Sequence, residues 1–463
     1  MQILFDQGVY DMRNKGNVAL FQAATERLSR AWPGAALKVI TSAPYLLKLY
    51  CPNARPVSPD GNYDWLESHS LLSDLTWRMP TPVLRLLFEL REEAWRRWPD
   101  AGSQVRNLKN LKALLRPQGA KQSVAPVTNG HSVVNQQMVT VMDEKPVAFK
   151  ALKGVDLFVA TGAQYMADPC RDDALRVLDR LEAAHCLGIP TAMVGQGIGP
   201  MDDPQLRARA KAVLPLVDLI LIRERFATPQ LLTALGVDPQ RVIFTSDDAI
   251  EMAYRARGKA LGTGIGVSMR VAHYTQVEEQ QLAVVRPILE QASANYKANL
   301  IAVPISHSAH ELDDQVIREL LAGQANAVHS PWRFEPPLGL IKRVGRCRIV
   351  VTGTFHTAVF ALSQGIPAVA LAKSTMYMDK FIGLADQFGA AGCQALYLGD
   401  TNLPAKLAAA IDTAWTTAEQ VRPQLLEAAA RQIELGHAGY RQIYELVEAK
   451  KQVRQQPAEK ELA

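Results

Sequence analysis

Residues 350–371 read VVTGTFHTAVFALSQGIPAVAL, and this stretch decides the fold. One apolar run ends at Thr352, an apolar segment of helix length follows, and a second apolar run comes after Gly-Ile-Pro. Continuous apolar runs are typical of parallel strands whose two faces are both covered by helices. The stretch therefore predicts a strand, a buried crossover helix and a second parallel strand, with His356 in the first turn of the helix.

The same alternation of strand-length and helix-length runs extends over most of the chain. It occupies two series, separated by the basic, glycine-rich segment RARGKALGTG at 255–264, and a long helical stretch at about 402–450 follows the second. We therefore predict an α/β protein of two Rossmann-like domains, whose parallel sheets face a cleft, with a long C-terminal helical segment. The predicted domains are residues 1–255 and residues 256–463.

Residues 60–148 interrupt the first series as a basic insert. Between Arg78 and Lys121 there are ten Arg or Lys and four acidic residues, an excess of +6, whereas the whole chain carries +5. Residues 83–98, VLRLLFELREEAWRRW, interleave leucines and tryptophans with arginines. They predict an amphipathic helix that either packs on the N-terminal domain or lies on an anionic membrane surface. We expect a flexible loop or a β-hairpin at 117–148.

Several classes of protein are disfavoured by what the sequence lacks. It has no GxxxxGK[ST] phosphate loop, no GxSxG nucleophile elbow and no His/Asp set at metal-site spacing. Its five cysteines are scattered without a CxxC pair, which indicates a reducing compartment. The sequence shows neither a signal peptide nor an apolar run of membrane-spanning length. We therefore expect a cytoplasmic protein without a metal or a resident cofactor.

Two loops near strand ends are candidate binding loops. NKGN, which contains Asn14 and Asn17, follows the first strand and opens a helix, so it is either a simple capped turn or an anion or sugar site. GQGIGP, which contains Gly197, follows a buried strand of the same series. Open α/β sheets bind ligands at the carboxyl ends of their strands, although Gly-Pro loops also occur simply as turns.

Charged residues end other strands of the first series. Arg223 and Glu224 follow the strand LILI, where they form either a structural ion pair or part of the cleft wall. Asp247 begins the acidic pair in SDDA, after the last strand of this series. Because the carboxyl ends of parallel strands share one edge of a sheet, these side chains are candidates for the same site.

The second series ends its strands in the same way. GVSMR ends in Arg270, whose planar guanidinium suits a carboxylate or a phosphate, and PISH ends in His307. His356 follows a third strand, and Lys373 ends the next one. A single histidine in apolar surroundings is often a core residue, but a strand-to-helix junction favours a functional role for His356.

In this order, the motifs resemble those of the polysaccharide pyruvyl transferase family. The family pattern reads N-x-G-N, G-x-G-x-G-P, R-E, D-x-A, V-S-x-R, S-H, and R-x-H before A-L-x-x-G-I-P. This chain has NKGN, GQGIGP, RER, DDA, VSMR, ISH, and TFH before ALSQGIP. The similarity spans about residues 3 to 390, apart from the insert. One position departs from the pattern, because the arginine of R-x-H falls on Thr354.

The resemblance implies transfer of the enolpyruvyl unit of phosphoenolpyruvate to a sugar of a bacterial-type polysaccharide or its lipid-linked precursor, with formation of a ketal. Phosphoenolpyruvate would be a co-substrate, and no other cofactor is expected. The family arginine is thought to help bind the donor. With Thr354 there, another cation such as Lys373 or Arg223 substitutes, or the donor differs, or the activity is weakened.

The implied reaction assigns roles to the candidate residues. The anionic donor needs fixed cations, for which we predict Arg270, Arg223 and, less strongly, Lys373. Protonation of its methylene group needs an acid that titrates near neutral pH, so His356 is the first candidate for acid or phosphate partner and His307 is the second. The base that accepts the acceptor's hydroxyl proton is Asp247 or Glu224. Asn14, Asn17, Gly197 and Thr354 complete the predicted binding residues.

Two other functions remain open at this stage. One is a glycosyltransferase or epimerase of the same GT-B-like fold that uses a sugar nucleotide, although no carboxylate lies between Gly353 and Thr375 to hold a ribose. The other is a non-catalytic relative that binds a glycan. If the basic segment 78–121 contacts lipid, we expect the protein at the inner face of the plasma membrane. We expect no nucleic-acid partner, because the sequence has no long Lys/Arg run.

Overall fold

The computed structural model describes five stretches of the chain, which together contain two parallel sheets and their helices. The described residues are 1–59, 79–97, 147–308, 311–330 and 334–455. The predicted loop or hairpin at 117–148 lies outside them except for its last two residues, which begin a short helix.

The first sheet has seven parallel strands in the order β3-β2-β1-β4-β5-β6-β7. Its central strand β4, LFVA, is buried at all four positions, as expected for a strand with helices on both faces. The strands are β1 Gln2–Asp6, β2 Ala36–Ile40, β3 Ala54–Val57, β4 Leu157–Ala160, β5 Thr191–Gln196, β6 Leu219–Ile222 and β7 Val242–Phe244.

Eight helices accompany this sheet within the described residues. They are α1 Lys15–Ala31, α2 Pro44–Tyr50, α3 Thr81–Arg97, α4 Val147–Lys150, α5 Arg171–Cys186, α6 Pro204–Val213, α7 Thr228–Ala234 and α8 Ile250–Arg255. The predicted helix of the basic insert is α3, and one of its faces packs on the domain. Leu84 is buried there, and the Phe88 ring lies 5.8 Å from the Tyr45 ring of α2.

The second sheet has six parallel strands in the order β12-β9-β8-β13-β14-β15. They are β8 Gly264–Ser268, β9 Leu300–Ala302, β12 Ala327–Val328, β13 Cys347–Thr352, β14 Ala368–Ala372 and β15 Cys393–Tyr397. A two-stranded antiparallel ribbon, β10 His307–Ser308 and β11 Glu311–Leu312, stands apart from the sheet.

The helices of this half are α9 Glu279–Tyr296, α10 Asp313–Leu320, α11 Pro337–Val344, α12 Phe355–Leu362, α13 Thr375–Phe388 and α14 Leu403–Gln455. The opening stretch of the sequence forms β13, α12 and β14, as predicted. Every residue of α12 is buried, because this helix crosses between two sheet strands and also faces the other domain. The predicted fold class is therefore confirmed.

The long helix α14 spans both halves of the molecule. Leu407 and Ile411 near its start belong to the core of the second sheet, whereas Tyr440, Ile443 and Val447 belong to the core of the first. The division at residue 255 stays a prediction, and the last turns of α14 pack on the N-terminal sheet. Within the described residues, no helix combines the length and the apolar composition that a membrane crossing requires.

A backbone bridge also joins the halves beside the first turn of α1. The amide of Lys15 donates to the carbonyl of Ile305 (2.9 Å), and the amide of His307 donates to the carbonyl of Arg13 (3.1 Å). The loops that follow the strands of both sheets meet here. The fold thus brings the predicted motifs of the two domains to one cleft.

Candidate active site

Two adjoining cavities lie between the carboxyl ends of the two sheets. The inner cavity has a volume of about 130 Å³ and the outer cavity about 690 Å³. The inner cavity brings together six of the predicted residues, namely Asn14, Asn17, Arg223, Arg270, Thr354 and His356. Gly197 and Glu224 lie in the wall of the outer cavity, which Arg223 also lines.

His356 lies at the centre of the inner cavity, where the first turn of α12 begins. Its side chain is nearly buried, and its Nε2 has no hydrogen-bond partner among the described residues. Burial first, and then the charges of Arg223, Lys380 and Arg270, lower the pKa of His356 well below its ordinary value. Burial and these charges therefore favour the neutral form of the imidazole.

Gly16, in the first turn of α1, explains how the N-terminal domain approaches this imidazole so closely. A Cβ atom at position 16 would lie 2.1 Å from Nδ1 of His356. A side chain at this position would therefore push the two domains apart or displace the ring. The glycine in NKGN is therefore required for the close packing of the two domains.

Asp247 lies behind His356 and Arg223. Its Oδ2 is 3.7 Å from Nε2 of His356 and 3.5 Å from an Nη of Arg223, and it accepts no hydrogen bond from the described residues. Burial raises the pKa of Asp247 to about 6, although the charge of Arg223 opposes this rise. The carboxyl group can therefore take up and release a proton near neutral pH.

Arg223 extends from the end of β6 into both cavities. Its guanidinium lies 4.5 Å from the centre of the Phe355 ring and donates to Oε1 of Gln164 (3.2 Å). One of its Nη atoms finds no hydrogen-bond partner among the described residues. Burial lowers its pKa, which Asp247 partly offsets. Arg223 is thus a buried cation with donor capacity to spare.

Arg270, in contrast, is fully engaged. Its guanidinium donates to both carboxylate oxygens of Asp313 (2.7 and 2.8 Å) and to the hydroxyl of Tyr274 (2.9 Å), and it lies 3.1 Å from Glu311. These groups outweigh the cost of burial and raise the pKa of Arg270. The structure therefore brings Arg270 to the cavity wall, but with its donors already occupied by protein groups.

Lys380 is a cation of this site that the sequence analysis missed. It extends from α13, lines both cavities, and its Nζ lies 4.2 Å from the centre of the Tyr377 ring. Burial, followed by the charges of Arg223 and Arg270, lowers the pKa of Lys380 well below its ordinary value. Its residue type and its place inside an amphipathic helix gave no signal, since lysines there usually face solvent.

Thr354 replaces the family arginine with an uncharged, buried side chain. Its hydroxyl is within hydrogen-bond distance of the hydroxyls of Ser268 (2.7 Å), Thr357 (2.8 Å) and Thr352 (3.2 Å). These contacts make the turn before α12 compact. They leave little capacity for Thr354 itself to hold an anionic group.

The remaining predicted residues differ in their placement. The Asn14 side chain caps α1 by accepting hydrogen bonds from the amides of Gly16 (3.1 Å) and Asn17 (3.2 Å), so NKGN is a capped turn. Both asparagines also line the inner cavity. Lys373 lies elsewhere, with its Nζ 5.4 Å from the centre of the Tyr397 ring.

His307 is held beside the cleft by its backbone, whereas Glu224 is engaged through its side chain. His307 belongs to the ribbon strand β10 and joins the domain bridge through its backbone. The carboxylate of Glu224 accepts from the amides of Phe226, Ala227 and Thr228, so it caps α7 rather than pairing with Arg223. No group of three His, Cys, Asp or Glu in the described part of the chain is arranged to hold a metal ion.

Solved structures of the GT-B type are similar to the whole chain. S. aureus MnaA in complex with UDP matches with a TM-score of 0.54 and 11% identity, covering 98% of each chain. UGT73P12 of Glycyrrhiza uralensis matches with a TM-score of 0.52 and 11% identity over 98% of this chain and 96% of that chain. UDP-GlcNAc 2-epimerase of Neisseria meningitidis matches with a TM-score of 0.50 and 11% identity, over 97% of this chain and 100% of that chain. At these identities the likeness concerns the fold alone.

Sequence comparison identifies the family. No curated protein matches the chain. The model of the family described as "Polysaccharide pyruvyl transferase" matches residues 14–375, which include every predicted site residue from Asn14 to Lys373. The match also covers both sides of the cleft in which those residues meet. The chain is therefore a member of the polysaccharide pyruvyl transferase family.

Proposed function

We propose that this transferase moves the enolpyruvyl unit of phosphoenolpyruvate onto two hydroxyl groups of a saccharide, giving a pyruvate ketal and phosphate. The observation that carries the proposal is a histidine in the inner cavity with a titratable carboxyl group behind it and, beside both, a buried arginine with a donor to spare. His356 and Asp247 have unpartnered polar atoms within the described residues, and Arg223 has one as well. An anionic substrate that accepts a proton matches this set of groups.

The reaction balances without a redox partner. Two acceptor oxygens form bonds to C2 of the donor, and the bond from C2 to the phosphate oxygen breaks. One hydroxyl proton ends on C3, which becomes a methyl group, and the other leaves with phosphate. His356 delivers the proton to C3, and Asp247 accepts a hydroxyl proton and returns it to the imidazole. Asp247 is favoured over Glu224 as base, because three backbone amides already engage Glu224.

Binding of the donor would itself activate His356. Before the donor binds, burial and then the charges of Arg223, Lys380 and Arg270 favour the neutral imidazole. A bound phosphate and carboxylate offset these charges and raise the pKa of the imidazole toward neutral pH. The His356 imidazole is thus protonated only when the donor is bound, so it does not lose its proton without a substrate.

The larger outer cavity is the place for the acceptor. It opens next to Arg223 and Lys380, which both cavities share, so a sugar there would meet the donor at C2. We further propose that the acceptor is lipid-linked, because α3 has an exposed apolar face and belongs to a segment whose sequence is rich in Arg and Lys. Val83, Leu86, Leu87 and Leu90 are between 45% and 57% exposed there. An anionic bilayer matches both features, and Arg85 is also exposed.

The donor is tested by thermal shift with phosphoenolpyruvate, UDP-sugars and GDP-sugars, followed by a phosphate-release assay over a panel of saccharides. We expect stabilisation by phosphoenolpyruvate alone, and phosphate release that depends on both the acceptor and His356. Stabilisation by a sugar nucleotide alone would support a glycosyltransferase or epimerase instead. The absence of any stabilisation would favour a glycan-binding protein.

The membrane contact is tested with full-length protein and vesicles. We expect co-sedimentation with anionic vesicles, weaker binding to zwitterionic vesicles, and loss of binding in Leu86→Ser/Leu90→Ser. A double change of exposed leucines elsewhere, Leu312→Ser/Leu338→Ser, is the matched control. Equal partition of all three proteins would remove the membrane contact and leave the reaction untouched.

A further inference from the structure

The inner cavity lacks one cation of the family pattern at the place where the pattern puts it. Thr354 is uncharged, and its hydroxyl is within reach of three other hydroxyls. Arg270 is held by Asp313, Glu311 and Tyr274, so its charge is largely balanced within the protein. Of the three cations predicted from the sequence, Arg223 is the one that lines the cavities with a donor to spare, although the donor molecule carries both a phosphate and a carboxylate.

Lys380 has the features expected of a replacement. It lines both cavities, and among the described residues no carboxylate lies within ion-pair distance of its Nζ. Its Nζ lies over the face of the Tyr377 ring, 4.2 Å from the ring centre. An unpaired ammonium next to two guanidinium groups is costly in the empty protein, and an anion between them would remove that cost.

Three buried cations of the described chain each have an ion pair, whereas Lys380 is partly buried and has none there. Lys15 pairs with Glu335 at 3.3 Å, Arg180 pairs with Asp6 at 2.6 Å, and Arg270 pairs with Asp313 at 2.7 Å. In each of these pairs, a carboxylate of the protein balances the charge of the buried cation. Lys380 has no such pair in the described chain, and it is found where two cavities join.

We propose that the Lys380 ammonium takes the place of the missing arginine and, together with Arg223, binds the anionic end of the donor. The inference rests on the proposed function for the identity of that donor. An ammonium is a compact point charge and does not need the planar geometry of a guanidinium. Lys380 therefore approaches the donor from α13, whereas an arginine at position 354 would approach it from the turn before α12. Lys373, the other lysine of this region, lies outside both cavities and cannot do so.

The test measures binding of phosphoenolpyruvate and of inorganic phosphate by isothermal titration to the full-length wild-type protein and its variants. We expect Lys380→Met to lower the affinity for both ligands at least about tenfold, because the variant loses a charge-assisted hydrogen bond to each. Lys380→Arg retains the charge and is expected to recover most of the affinity. Lys373→Met is the matched control and is expected to bind like the wild type.

A folding readout separates binding from structural damage. Because Lys380 has no ion pair among the described residues, Lys380→Met should not lower the Tm of the free protein, but it should reduce the shift that phosphoenolpyruvate causes. Lys380→Gln provides a second variant if the methionine form does not fold. A lower Tm in both variants, with unchanged ligand affinity, would overturn the proposal.

The outcomes also distinguish this inference from the proposed function. If the wild type binds phosphoenolpyruvate and Lys380→Met binds it equally well, the role of Lys380 is refuted and the function stands. If the wild type binds inorganic phosphate in a Lys380-dependent manner but not phosphoenolpyruvate, the anion site stands and the donor assignment falls. If the wild type binds none of these anions, both are refuted.

Discussion

Asp247 and Asp248 are neighbours in one turn, but their surroundings differ completely. Asp248 accepts hydrogen bonds from Arg27 and from the hydroxyl of Tyr440 (2.9 Å) at the closed side of the domain junction. Asp247 lies behind His356 and Arg223 of the cleft, where one oxygen accepts from the amide of Ala249 (3.0 Å) and the other has no hydrogen-bond partner among the described residues. Satisfied polar groups stabilise a fold, whereas a buried unsatisfied carboxyl group indicates a functional site.

The closed side is a network built from three elements. Arg27 of α1 also donates to Glu251 of α8, and His437 of α14 lies 3.1 Å from the same carboxylate. Every member has a partner, so this side fastens α14 to the N-terminal domain. The open side keeps donors and acceptors unpaired around His356. One turn therefore contains a side chain that stabilises the fold, Asp248, next to a side chain that is available for chemistry, Asp247.

The largest effect is expected for Asp247→Asn. This change removes the proton acceptor while it keeps the shape of the side chain, so kcat for phosphate release should fall about 10²- to 10⁴-fold. The Tm should stay equal or rise, since a buried carboxyl group is removed. A variant with near wild-type kcat would end the assignment of Asp247 to the chemistry. His356→Gln is the companion variant and should show a loss of similar size.

Asp248→Asn should have the opposite profile. It leaves Arg27 buried with less compensation, so the free energy of unfolding should fall by about 3 kcal/mol or more. The kcat of the folded fraction should change far less than in Asp247→Asn. Urea unfolding followed by circular dichroism measures the first quantity, and assay below the transition measures the second. Stability equal to the wild type would contradict the contrast between the two carboxylates.

The pH dependence of stability should separate them further. The pKa of Asp247 is raised to about 6, whereas an unfolded aspartate titrates near about 4. The folded state therefore holds this proton more tightly, so its contribution to stability is present below about pH 4 and is lost as the pH rises to about 6. Relative to Asp247→Asn, the wild type should lose roughly 2 to 3 kcal/mol across that window. Parallel urea-derived stability profiles for the two proteins would disprove this.

The smallest effect is expected for Glu224→Ala. The carboxylate caps α7, so its loss should reduce the free energy of unfolding by about 1 kcal/mol, which is typical of a helix cap. Its kcat should fall much less than that of Asp247→Asn. A loss of kcat as large as in Asp247→Asn would instead make Glu224 the base. Glu224→Asp is the control that preserves the charge.

Much of the architecture could be predicted from local pattern. Apolar runs of strand length alternate with helical runs, and this periodicity predicted both parallel sheets apart from the edge strand β3, as well as the crossover helix α12 and the long helix α14. Because parallel strands present their carboxyl ends at one edge, the same pattern also placed Arg223, Asp247 and His356 near one another. The departure at Thr354 was likewise visible in the sequence, since it follows from a single position in a motif.

The partners of these side chains were decided only by the tertiary structure. Arg270 is engaged by Asp313, and Asp248 by Tyr440, which lies 192 positions along the chain. Lys380 enters the cavity from a helix whose sequence resembles a surface helix. Hydrophobic periodicity reports which face of an element is buried, but it carries no information about which distant group meets a given polar atom. Which groups come into contact depends on how the two domains and α14 pack. This packing gives Asp248 its hydrogen-bond partners and leaves Asp247 available for chemistry.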